Sequence, residues 1–416
     1  MNVASICRFI MSRWSLFVAI LALLAGVSFL VLRSVIEPRG EVDFRFFWLA
    51  GHLWAGGLDP YSDRFREIGA TMLPPGNVVL YWFYPPQWWI VSRGMALFDL
   101  ERAVMIWRLL NGALILLGTA LVTASVKDDV RRRWTAMAFW GGVALLIEPT
   151  ANLLAFGQSA GFVYMSLALL VAGVLRRRPW LVGLAVFLAT FKPQVGLMVL
   201  FWALLVPSFR GAALAGLGGA GLLTLPHIMQ AGISEAVRAY LSNAAKWADM
   251  PSNAPVASSG PAGLLTRLGA GNADLIWQIL AAAAVTVCAA WMIRRQPFRP
   301  VAPLLLLTTA IACLMPLHIY DLTVLLIPLI LLTLGTASPA WLPWVTLLLM
   351  ARPGKIEMLL GVPQYSSDVS AGLIGLGVAG LLLFAFAIRE ALRGVAPLSQ
   401  GDEPRETLAL ESSRFG

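Results

Sequence analysis

The chain has 416 residues, 59% of them hydrophobic and 13% charged, with a formal net charge of +9. That apolar content excludes an ordinary water-soluble domain, and Leu/Ala/Val/Gly-rich runs without strict alternation exclude an outer-membrane barrel. What remains is an all-α integral membrane protein, whose basic groups mark one side of a bilayer rather than a nucleic-acid surface.

Arg8 and Arg13 precede "WSLFVAILALLAGVSFLVL", an order that has the outline of a signal peptide. The apolar run is too long for that and ends at Arg33, so an uncleaved first span over 14–36 is expected. Further spans are expected near 102–124, 134–148, 160–175, 180–191, 195–208, 210–227, 272–293, 300–316, 321–335, 340–351 and 371–388. Arg8/Arg13, "KDDVRRR", "RRRP", Arg210, "RRQPFR" and Arg389/Arg393 fall on one alternating side. By the positive-inside rule that side is cytoplasmic, with both termini there, in a multi-pass protein of the cell inner (cytoplasmic) membrane. Residues 1–393 form one polytopic domain of about 12 spans by this hydropathy reading, and the polar tail 394–416 is expected to be disordered.

Two large extracytoplasmic loops follow, 37–101 and 228–271. The first contains "EVDFRFFWLAGHLWAGGLDPYS", where Phe44, Phe47, Trp48, Gly51 and Trp54 at helical spacing predict an interfacial helix over 43–55. Gly56 and Gly57 should end it. "LYWFYPPQWWI" adds a second aromatic stretch suited to the headgroup layer, and Trp48, Tyr84, Trp88 and Trp89 are read mainly as an interfacial belt. Further on, 180–191 and 195–208 meet at "FKPQ". A dozen helical residues reach only ~18 Å against a hydrocarbon core of ~30 Å, which marks Lys192 as a candidate site residue in a broken region.

The extracytoplasmic loops concentrate the polar residues that can do chemistry, among them Asp43, Arg45, His52, Asp59, Tyr61, Tyr84, Glu148, Gln158, Lys192, Gln194, His227, His318 and Asp321. Asp43 can serve as a general base or as the N-cap of the helix that starts at Phe44, and the two roles are compatible. Lys192 can bind a phosphate or snorkel at a helix end. In "MPLHIYDL", His318 and Asp321 are three apart and can share one face of a turn. Gln158 and Gln194 can bond sugar hydroxyls or cap backbone groups. Cys7, Cys288 and Cys313 have no metal or disulfide spacing, and His52 and His227 lack a second ligand, so neither a metal site nor a cofactor is expected.

The stretches "DFRFFWLAGHLWAGGLDPYS", "YPPQWWIVSRGMALFD", "GQSAGFVYMSLALL", "FKPQVGLMVLFWALL" and "HIYDLTVLL" together resemble glycosyltransferase family 87 over about residues 14–335. Ser159 stands where the family often has Asn. The resemblance implies a GT-C fold, a polyprenyl-phosphate sugar donor with mannose as the expected sugar, and a glycolipid or glycan acceptor among membrane lipids. It also implies an acid on the first outer loop as base, which Asp43 matches. The resulting expectation is an inverting transferase with Asp43 and His318 as catalytic residues, Lys192 and His318 steadying the phosphate. Arg45, Tyr61, Tyr84, Gln158, Gln194 and Asp321 would bind substrate. The alternatives are a transporter or flippase of lipid-linked sugars, which would favour paired repeats, and an envelope acyl- or phospho-transferase.

Overall fold

The structure is a computed structural model and describes residues 3–36, 43–73, 79–126, 129–250, 253, 258–269, 275–315, 317–336, 338–339, 341–361 and 372–395. The expectation for the tail from 396 onward lies outside the described residues. Among them the chain is helical, without strands. It begins with α1 (Val3–Val31), α2 (Phe44–Ala55), α3 (Arg64–Met72) and α4 (Trp89–Met95). It continues through α5 (Leu100–Val126), α6 (Val130–Leu146), α7 (Glu148–Phe156), α8 (Ala160–Leu175), α9 (Pro179–Ala189) and α10 (Pro193–Leu205). Then come α11 (Arg210–Ala231), α12 (Ile233–Ala248), α13 (Pro261–Arg267), α14 (Leu275–Arg295) and α15 (Val301–Leu314). A 3-10 turn (Ile319–Leu325), α16 (Leu326–Gly335), α17 (Trp341–Ala351), α18 (Pro353–Leu359) and α19 (Leu373–Val395) complete it.

Five helical stretches are long and apolar enough to cross a bilayer: Ser15–Val35, Leu100–Val126, Pro207–Ala231, Gln278–Arg295 and Leu373–Arg393. The number becomes six if α6 and α7, bent by 56°, count as one broken span. The remaining apolar helices are shorter. The α9–α10 break falls where "FKPQ" put it, because proline fits the first turn of a helix and Pro179 and Pro193 each open one. With 11 and 13 residues, these helices reach only ~17 and ~20 Å.

The bundle is built around α8, α15 and α16, whose Leu/Ile/Val/Ala side chains are almost all buried. Around this centre small residues allow close crossings. A Cβ on Gly26 of α1 would lie 2.7 Å from the Gly142 carbonyl oxygen of α6, so neither position has room for a side chain. The outward surface of α1 (Phe17, Leu21, Leu24) stays exposed, as a lipid-facing helix requires. At the basic end, the Arg177 guanidinium lies 4.6 Å from the Phe298 ring centroid and ties the turn after α8 to the one after α14.

The opposite end carries a second core made of rings. Phe44, Phe46, Phe47, Trp48 and Trp54 of α2 pack with Trp82, Trp88, Trp107, Phe162 and Phe191. This corrects the interfacial reading. Nine of the twelve residues of α2 being buried leaves little face for the headgroup layer, and Trp88 is fully buried. Edge-to-face packing such as Phe47 on Trp82 (centroids 5.5 Å apart, 87°) gives these rings more contact than lipid would. Trp89 is also engaged within the protein, its indole N–H donating to the Leu223 carbonyl. Beside this cap lies α12, with Ile233, Val237 and Leu241 exposed in a stripe along one face.

Candidate active site

Asp43 stands at the N-cap position of α2, yet its carboxylate makes no capping hydrogen bond. It accepts instead from Gln158 Nε2 at 2.6 Å, while its backbone N–H donates to the Phe156 carbonyl at 3.1 Å. The capping half of the sequence reading therefore fails. Gln158 is presented by the end of α7, where Gly157 adopts φ +68°, a left-handed conformation natural to glycine. A Cβ there would also meet the Phe44 Cβ at 2.6 Å. The Trp107 indole holds the turn, donating toward the carbonyls of Gly157 (2.9 Å) and Gln158 (3.1 Å). Burial pushes the Asp43 carboxyl up to about 6, against the lowering effects of the Gln158 hydrogen bond and the Lys192 charge; Asp321 adds to the rise.

Lys192 occupies the turn between α9 and α10, where its backbone N–H donates to the Ala189 carbonyl at 3.0 Å. Its ammonium pairs with the Asp321 carboxylate, both side chains being largely buried, and lies 5.5 Å from the Tyr320 ring centroid. An ammonium has three donors, so this pairing leaves capacity for a ligand oxygen. The other Asp321 oxygen accepts the His318 backbone N–H at 3.3 Å, so the turn that follows His318 orders the acid that orders the lysine. Burial depresses the His318 imidazole below its usual range; Asp321 opposes this and Lys192 reinforces it.

These groups surround a cavity of about 430 Å³. Tyr84, Gln158, Lys192, Gln194 and His318 line it, with Trp247 of α12 among the apolar groups of its wall. Asp43 and Asp321 connect to it through Gln158 and Lys192. Tyr61 and Arg45 are not on the wall. The Tyr61 hydroxyl donates to the Tyr84 carbonyl at 2.5 Å, which makes it a support for the wall. Arg45 sits partly buried on α2. His227 packs against the Tyr61 ring and His52 against Trp48, both away from the cavity wall. Among the described residues no group of three or more His, Cys, Asp or Glu is placed to hold a metal ion.

Three residues of the site escape sequence reasoning. Asn243 donates to the carbonyls of Tyr61 and Trp82, both at 3.1 Å, and Trp247 stacks on Phe83 with centroids 3.9 Å apart. Asn253 reaches the His318 ring. The first two lie on α12, whose amphipathic spacing was a usable signal; Asn253 lies in a polar stretch with no such signal.

A carboxylate raised toward neutrality, a buried cation and a cavity of about 430 Å³ thus lie together at one end of an apolar bundle. The model of glycosyltransferase family 87 matches residues 82–328, more than half of the sequence. The chain belongs to glycosyltransferase family 87, and its activity is accordingly glycosyl transfer. Comparison with curated proteins found no match.

Proposed function

We propose that this enzyme transfers a sugar, mannose by preference, from a polyprenyl phosphate to a hydroxyl of an envelope glycolipid or glycan, with inversion. The observation that carries this reading is the Asp43–Gln158 contact: a carboxylate at a helix start that makes no cap and instead accepts from Gln158 of the cavity wall. Asp43 takes the proton of the acceptor hydroxyl as that oxygen attacks the anomeric carbon, and the bond to the phosphate oxygen breaks. Lys192, held by Asp321, stabilises the charge that grows on the leaving phosphate. Gln158 fixes the orientation of the base, and Tyr84 and Gln194 contribute polar surface for the sugar.

The same reading includes the topology. Helices α1, α5, α6, α8–α11, α14–α17 and α19 give a dozen crossings in the GT-C manner, with the basic turns cytoplasmic and the cavity outside. The Arg177–Phe298 contact, which joins two basic turns at the end away from the cavity, supports it. A flippase would need a polar path near mid-membrane, whereas the polar groups here gather at one end. The test is a product assay with purified protein, radiolabelled polyprenyl-phosphate sugars and a lipid acceptor extract. Labelled glycolipid is expected with a polyprenyl-phosphate hexose; transfer from nucleotide sugars alone would sink the donor assignment.

A further inference from the structure

Several polar groups on the cavity wall are already engaged. Gln158 Nε2 is spent on Asp43, the Tyr84 hydroxyl lies 3.5 Å from Gln158 Oε1, and the Lys192 ammonium pairs with Asp321. In His318, Nε2 lies 3.1 Å from Asn253 Oδ1 and Nδ1 is sealed off. Tyr320 differs. It sits in the turn between His318 and Asp321, is half-buried and lines the cavity. Its hydroxyl has no hydrogen-bond partner among the described residues and, unlike His318 Nδ1, keeps exposed surface.

Three neighbours hold the Tyr320 ring. The Phe156 and His318 rings lie 6.2 and 5.4 Å away between centroids, and the Lys192 ammonium 5.5 Å from the Tyr320 centroid. The Phe156 carbonyl accepts the Asp43 backbone N–H, so the ring packs between the anchor of the base and the buried cation. Burial keeps the phenol protonated, and the charges of Asp43, Asp321 and Tyr84 push the same way. Tyr240, the other wall phenol without a hydrogen-bond partner among the described residues, packs against the Tyr61 ring instead.

We propose that Tyr320 donates a hydrogen bond to a non-bridging oxygen of the leaving phosphate, beside Lys192. The proposal rests on the polyprenyl-phosphate reading of the site. Lys192 shares its charge with Asp321, so the pair is neutral overall and the charge growing on the phosphate calls for a further donor. An uncharged phenol supplies it without weakening the base, whereas a second cation would make Asp43 less basic. The phenol keeps its proton throughout. The electron pair of the broken bond between anomeric carbon and oxygen stays on the phosphate, and Asp43 takes the proton of the acceptor hydroxyl.

The experiment assays full-length wild type, Tyr320→Phe and Tyr240→Phe with a polyprenyl-phosphate sugar and with the two diastereomers in which sulfur replaces one non-bridging phosphate oxygen. Tyr320→Phe keeps the ring and removes no hydrogen bond of the fold, so its melting temperature should match wild type. Its kcat/KM should fall by roughly 10–100-fold. Sulfur is a poor acceptor, so wild type should penalise one diastereomer by about tenfold or more. In Tyr320→Phe that penalty should shrink below about twofold, because the donor is gone, and in Tyr240→Phe it should persist. Equal penalties in wild type and Tyr320→Phe, or a penalty that shrinks as much in Tyr240→Phe, overturn the proposal and leave the transferase reading intact. A clearly lower melting temperature in Tyr320→Phe also overturns it, since the hydroxyl would then be structural. A wild type inactive with every polyprenyl-phosphate sugar overturns the donor reading and this proposal with it.

Discussion

In the membrane bundle several threonine hydroxyls are satisfied inside their own helix: Thr308 donates to Leu304, Thr286 to Ala282 and Thr346 to Leu342, each four residues back, while Ser166 of α8 donates to the Ala185 carbonyl of α9 and Thr119 pairs with the Tyr164 hydroxyl. In the aromatic cap the donors reach across the chain. Trp48 bonds the Phe98 carbonyl, Trp88 that of Phe191, and Trp107 those of Gly157 and Gln158. A hydrogen bond within one helix leaves that helix free to shift against its neighbours. An indole bonded fifty or a hundred residues away fixes one element to another. The bundle therefore supplies burial and the cap supplies register. Asp43 and Gln158, which come from opposite sides of the joint between them, meet only because the cap is in place.

The sharpest test of that division is Asp43 itself. Asp43→Asn preserves shape, and turnover should fall by roughly 10²–10⁴-fold if the carboxylate is the general base. Asp59→Asn, which keeps an acceptor for the Tyr61 N–H, should cost far less. Asp43→Asn also tests stability, with the opposite sign. A carboxyl raised from 3.8 to about 6 contributes stability that is full below its unfolded value and is lost as pH rises through 6. Above that pH the ionised group is a burden on the fold, so Asp43→Asn should melt at the same temperature or higher at pH 8. A lower melting temperature would restore a structural role to Asp43.

Gly157→Ala leaves the polar groups of the site unaltered but strains a left-handed turn and crowds Phe44. A displacement of Gln158 on the order of 1 Å should lower kcat by about 10²-fold. Normal kinetics would show that the joint between cap and bundle is not what sets the base. Next in size is the acid limb: kcat/KM should fall about tenfold per unit below pH 6 as Asp43 protonates, read from a pH–rate profile of the free enzyme. Trp107→Phe removes two long-range bonds and should destabilise by about 1–3 kcal/mol, whereas Thr308→Val, which removes an intrahelical one, should cost under about 1 kcal/mol. Equal effects in thermal unfolding would erase the contrast between the regions. The smallest effect is topological. Exposed Ser62→Cys should react with a membrane-impermeant reagent in intact spheroplasts at little cost to activity; labelling only after lysis would invert the orientation.

Helix positions could be read because their signals are local: apolar length, prolines at first turns, and glycines after α2 and α7. The break at "FKPQ" was legible for that reason. The role of Asp43 was not, since a cap and a base call for the same residue at the same place. What draws its carboxylate away from the cap is Gln158, 115 positions away in sequence. Trp88 was misread because an interfacial belt and an aromatic core share one composition, and only packing distinguishes them. Tyr61 and Arg45 had the right chemistry for the wall, but the turn before α3 and the rotation of α2 place them elsewhere. Asn253 was out of reach, because its contact with the His318 ring spans 65 positions from a polar stretch with no periodic signal.

The exposed stripe of α12 carries a mechanical consequence. Ile233, Val237 and Leu241 look outward, while Tyr240, Ala244 and Trp247 on the other face line the cavity. If that stripe meets the acyl–headgroup boundary, one rod joins the lipid to the cavity. Lateral pressure and bilayer thickness would then act on that wall of the chamber. The working volume of the site would be partly a property of the lipid. Turnover measured in nanodiscs of short- and long-chain lipids should differ for this enzyme even when the protein, donor and acceptor are the same.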